Sequence, residues 1–86
     1  MDFLILSKGC KFTFSNFNGV KDVKLYIDGE RFENGMYLNA QTMRWLAPND
    51  KLPLNDETRS ALINIIVSEG NKGGAVFQFH GITADD

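Results

Sequence analysis

Apolar and polar positions alternate with a period of two through most of the first half of this chain. Residues 3–6 form a short apolar run stopped at Lys8-Gly9, which reads as a strand. Cys10, Phe12 and Phe14 then alternate with Lys11, Thr13 and Ser15, the pattern of a strand with one buried face. Asn16-Phe17-Asn18-Gly19 carries turn chemistry, because Asn and Gly tolerate positive φ. Val23, Leu25 and Ile27 resume the alternation. Asp28-Gly29 follows as a hairpin signal, with a return strand over 30–32, and Asn34-Gly35 as a second one before a strand at 36–39. Together these predict a meander of four or five short antiparallel strands.

The period changes in the second half. Residues 40–46 fit either a helical turn or a continued strand that sets Trp45 over the core, and 47–54 form a loop bounded by Pro48 and Pro53. Asn55 is a suitable N-cap, and Asp56 and Glu57 fall in the first turn, where the helix dipole favours negative charge. The pattern predicts a helix over 56–69 with a narrow polar arc of Ser60, Asn64 and Ser68. Its apolar girth calls for cover on two sides, one from the sheet and the other from the Trp45 loop or from a second copy of the chain in a homodimer. Gly70 is read as the helix stop, followed by a Gly-rich turn. A last strand spans 75–80, with Phe77 and Phe79 on one face and Val76, Gln78 and His80 on the other, and the tail 84–86 is expected to fray. The predicted fold is α+β, a single domain over 1–86: an antiparallel sheet of five to six short strands with one long amphipathic helix packed on one face. Leu62, Ile65 and Ile66 are expected to meet Phe12, Phe14, Leu25 and Ile27.

Composition narrows the classes. Eighty-six residues make one domain with a modest core, and an apolar content of 43% with 12% aromatics argues against disorder. The net charge of −2 provides no field for nucleic acid or an anionic membrane. Charge is uneven, at +2 over residues 1–27, −3 over 28–57 and −1 beyond. The single cysteine permits no internal disulfide. The N-terminus lacks a basic region ahead of its apolar run, and no window approaches a membrane span, so a soluble cytoplasmic protein is expected.

Candidate chemistry is sparse. His80 is the sole histidine and Cys10 the sole thiol, and no CxxC, HxH or HExxH spacing occurs. His80 reads as a strand-end residue and Cys10 as a small buried hydrophobe. The glycines punctuate turns and do not precede a helix as a phosphate loop does. No catalytic residue, metal or cofactor is expected, and the chain is read as a non-enzyme. Phe12, Phe14, Phe77 and Phe79 interleave with polar residues in the manner of a base-stacking platform, but lysines are few and the core needs those rings.

Residues 35–67 resemble a family of small α+β immunity proteins from bacterial polymorphic toxin and contact-dependent growth inhibition systems. The shared pattern is the strand Met36-Tyr37-Leu38-Asn39, a hydrophobic–x–Trp–x–x–Pro element at Met43, Trp45 and Pro48, and an acid-capped helix carrying Leu62-Ile63 and Ile65-Ile66. The segment Tyr26-Ile27-Asp28-Gly29-Glu30 also fits, whereas residues 1–20 match only in their alternation. The resemblance implies an inhibitor that binds and neutralises the C-terminal domain of a cognate toxin in the cytoplasm. A toxin acting on nucleic acid tends to present a basic surface, so its inhibitor would offer acid with an aromatic anchor. Glu30, Glu33, Tyr37, Trp45 and Asp50 are the candidates, with the 28–33 hairpin and the 45–53 loop lining one partner-facing side. The alternative is a small nucleic-acid-binding or phage-type accessory module without catalytic activity.

Overall fold

The computed structural model describes residues 1–82, so the tail at 84–86 lies outside the described residues. In chain order the elements are β1 (Asp2–Leu6), β2 (Gly9–Phe17), β3 (Val20–Phe32), β4 (Gly35–Asn39), one 3-10 turn (Ala40–Thr42), β5 (Arg44–Trp45), α1 (Asp56–Lys72) and β6 (Val76–His80). The strands form one sheet in the order β1-β2-β3-β4-β6, with β5 also alongside β3. The helix buries Leu62 and Ile66 in one core cluster with Phe12, Phe14, Leu25 and Ile27 from the sheet. The α+β class, with one α-helix among the described residues packed on a small sheet, is as expected.

One pairing departs from an all-antiparallel sheet. β6 runs parallel to β4, with Met36 beside Phe77 and Leu38 beside Phe79. Alternation is the same in either direction, so the pattern does not encode it. The intervening helix supplies the long crossover that a parallel return needs.

The Asp28-Gly29 hairpin does not form. β3 runs straight through both residues, and its first half pairs with β2 while residues 29–32 pair with β4. Gly29 serves close approach instead of a turn. A Cβ there would meet the Tyr37 carbonyl oxygen and lie 2.8 Å from Leu38 Cδ2. The true turns are two residues long. At Asn18-Gly19 both φ values are positive, 50° and 84°, as a type I′ hairpin requires. Glu33-Asn34 joins β3 to β4 through the pair Phe32 and Gly35.

β3 therefore serves two half-sheets that curl over a shared core. The curl is strong enough for the outermost strands to touch through their inward side chains. Phe3 of β1 stands edge-on to Phe77 of β6, with ring centroids 5.1 Å apart, and Phe12 meets the same ring at 5.2 Å.

The helix starts where its signals predict. The Asn55 side chain accepts from the Thr58 amide at 2.8 Å. It does not stop at Gly70. That residue is buried inside the helix, which continues to Lys72 before Gly73 caps it and Gly74 takes a φ of 82°. Cover is also narrower than expected. Leu62, Ile66 and Gly70 are fully buried, Ile63, Ile65 and Val67 are half-buried, and Ala61 is exposed. Ile65 thus sits at the margin of the core, with Leu52 and Leu54 of the preceding loop. That loop contains a cis Ala47-Pro48 peptide bond.

Candidate protein-binding surface

Alternation along each strand sends one set of side chains into the core and the other onto a sheet face that no helix among the described residues covers. The register then decides which outward residues are neighbours. Glu30 lies opposite Tyr37, and Tyr37 lies beside Gln78. The His80 ring packs on Tyr37 with centroids 4.7 Å apart and planes tilted by 42°. In the next row Phe32 is opposite Gly35, which adjoins Val76. Phe32, Tyr37 and Val76 are 40%, 45% and 37% exposed, high values for large apolar groups. Glu33 projects from the adjacent two-residue turn and is exposed. Glu30, Phe32, Tyr37 and Gln78, with Arg31, line an open depression of about 350 Å³. This corner of the sheet therefore combines apolar rings with acid.

Three of the five candidate residues, Glu30, Glu33 and Tyr37, meet there, and two do not. Trp45 is only 4% exposed, so it is a core residue and not a partner-facing anchor. Its ring stands 5.5 Å from Phe17 and its Nε1 donates to the Pro53 carbonyl at 3.4 Å. Burial follows from the pairing of Trp45 with Leu25, which sets its side chain on the core side of β3. Asp50 is exposed, but on the loop that leaves the sheet at Leu46, whose amide donates to the Lys24 carbonyl. Lys24 is six residues from Glu30 along β3, a span of about 20 Å. The 28–33 segment and the 45–53 loop consequently do not line one side. Asp28 is occupied elsewhere, its carboxylate 3.2 Å from Arg44.

A second cluster on the open face had no signal in the linear pattern. Arg44 lies over the Tyr26 ring at 4.6 Å, pairs with Asp28 and donates to the Thr42 carbonyl at 2.8 Å. Lys11 is the cross-strand neighbour of Tyr26, and Lys24 lies two residues away on the same face. Only the β3–β5 register brings Arg44 to this place.

The remaining candidates for chemistry are placed simply. Cys10 is fully buried and burial pushes its thiol up to about 12, far from a nucleophile's range. His80 is exposed at a strand end. Phe12, Phe14 and Phe77 are core residues and Phe79 is half-buried, so these rings form no stacking platform. Among the described residues no group of three or more His, Cys, Asp or Glu is placed to hold a metal ion. No helix among them is long and apolar enough to cross a membrane. Comparison with models of known families, with characterised proteins and with solved structures finds no significant match to any of them.

Proposed function

We propose that this chain is an immunity protein, a binding module that holds and neutralises the C-terminal domain of a cognate bacterial toxin. The observation that carries the reading is the acid-and-ring corner of the outward sheet face. Glu30 stands opposite Tyr37 and Phe32 is exposed in the next row, with Glu33 at the adjoining turn. Rings at the centre of a contact slow dissociation, while flanking carboxylates speed encounter with a basic surface. The resemblance read over residues 35–67 supports a toxin domain as the partner class.

The test uses the protein domain encoded beside this chain. Glu30→Lys with Glu33→Lys should lower the association rate by an order of magnitude or more at low salt, and Tyr37→Ala should speed dissociation. Asp50→Lys, at the other end of the sheet, should change neither. Undiminished binding and undiminished protection of cells by the Glu30/Glu33/Tyr37 triple variant would remove this surface from the proposal.

The Lys11, Lys24, Arg44 and Tyr26 cluster favours a second reading, a single-stranded nucleic-acid contact of the cation-and-ring type. Sub-micromolar binding that weakens steeply with salt, and that Lys11→Glu with Lys24→Glu abolishes, would select it over the first.

A further inference from the structure

β1 has an unusual balance for an edge strand. Phe3, Leu4, Ile5 and Leu6 are all large and apolar, yet none is fully buried, and Leu4 and Leu6 are 52% and 37% exposed. Among the described residues it has one hydrogen-bonded neighbour, β2, and lies at the end of the sheet. None of the backbone hydrogen bonds found outside the helix and sheet pairings among the described residues involves positions 2–6. Edge strands are ordinarily guarded by Lys, Pro or a bulge, and β1 contains none of these. The other edge, β6, differs in that Phe77 is buried and the outward positions include Gln78 and His80.

The direction of the free backbone groups follows from the turn. Ser7-Lys8 is a two-residue connection between Leu6 and Gly9, and such turns close on a hydrogen-bonded pair. Alternate residues Asp2, Leu4 and Leu6 therefore turn their amides and carbonyls to β2. Phe3 and Ile5 turn theirs outward, where another strand could meet them.

We infer that β1 pairs antiparallel with β1 of a second copy of this chain, across a twofold axis at Leu4. The strand is complementary to its own image in this register. Leu4 faces Leu4 of the second copy as a non-hydrogen-bonded pair, the type with the closest side chains. Phe3 and Ile5 exchange backbone hydrogen bonds with Ile5 and Phe3 of the copy. Asp2, the only charge on the strand, falls opposite Leu6 and diagonal to Lys8 of the copy, so each end of the interface carries one opposite-charge pair. A partner strand of another protein would have no reason to repeat this match of apolar centre and charged ends. The contact leaves the Tyr37 corner, on the opposite half-sheet, free for a different protein.

Sedimentation of the 86-residue chain across a concentration series tests this. The mass should rise from 9.7 kDa towards twice that value. Leu4→Lys, at a site already half in solvent, should return the mass to the monomer with an unchanged circular dichroism spectrum. Asp2→Lys should weaken association and Asp2→Lys with Lys8→Asp should restore it. Under mild oxidation Leu4→Cys should give a disulfide-linked dimer, while Cys10, buried, stays unreacted. A wild-type chain that is monomeric at every concentration would overturn the inference. So would a dimer that persists in Leu4→Lys, or one that crosslinks through Gln78→Cys on β6 and not through Leu4→Cys.

Discussion

Replacing Gly70 with alanine tests how tightly the helix sits on the sheet, because two effects of opposite sign meet there. Helix propensity alone favours the change, by about 1 kcal/mol in an interior position. Packing opposes it. A Cβ on Gly70 would come 2.6 Å from Phe77 Cε2, where carbon atoms normally rest about 3.5–4.0 Å apart. The ring cannot retreat freely, since Phe3 and Phe12 hold it edge-on at 5.1 and 5.2 Å and it is almost wholly buried. Overpacking of this kind costs about 1–3 kcal/mol, and displacing two edge-to-face partners puts this site at the upper end. The net expectation is a loss of about 1–2 kcal/mol, read as a lower urea midpoint with unchanged slope. Thermal melting should fall by about 4–8 °C for each kcal/mol. Phe77→Leu should reduce the penalty of Gly70→Ala, so the pair should be non-additive in a double-mutant cycle. A stabilised Gly70→Ala protein would refute the close approach of α1 to β6.

Leu62→Ala and Ile66→Ala remove fully buried side chains from the same helix stripe. Each should cost about 2–5 kcal/mol in urea unfolding, whereas Ala61→Ser, on the exposed side, should be near neutral. Asn55→Ala removes the cap on the Thr58 amide and should cost about 1 kcal/mol, with a loss of helicity confined to the first turn in amide exchange. Burial raises the Cys10 thiol from about 9 to about 12, so its contribution to stability is intact below pH 9 and is lost as pH climbs from about 9 to 12. Wild-type protein should therefore lose stability relative to Cys10→Ala over that window, and a thiol reagent at pH 8 should label Cys10 only as fast as the protein opens.

Strand alternation was legible wherever one face is buried and the other wet. Cys10, Phe12 and Phe14, and again Val23, Leu25 and Ile27, all point inward as their spacing predicts. The N-cap was equally plain, because a capping side chain acts on backbone three residues away. Features that depend on distant partners were not legible. Asp28-Gly29 has the composition of a turn, but Gly29 is required by the backbone of β4, and nothing in the local residues distinguishes these needs. Gly70 looked like a helix stop for the same reason, its real constraint being a ring on β6. Trp45 was ambiguous until its pairing with Leu25 set which way it faces. The partner-facing set divided likewise. Acid clustered along the chain need not cluster in space, and β3 is long enough to carry Glu30 well away from the loop that holds Asp50.

The parallel pairing of β6 with β4 also sets an order of assembly. β1, β2 and β3 are joined by two-residue turns, so their first contacts close loops of only a few residues. Met36 and Phe77, by contrast, stand 41 positions apart and meet only after β5, the loop and α1 are traversed. Loop-closure entropy grows with the logarithm of length and makes that last contact harder to reach by about 2 kcal/mol. The chain should thus build its hairpins early and seat α1 and β6 together at the end, with core substitutions in β2 slowing folding and those in β6 mainly quickening unfolding. Opening in the native state would run in reverse. Amides of β6 should exchange with solvent before those of β2, and the corner formed by Tyr37 and His80 would be the part of the surface that comes and goes with that motion.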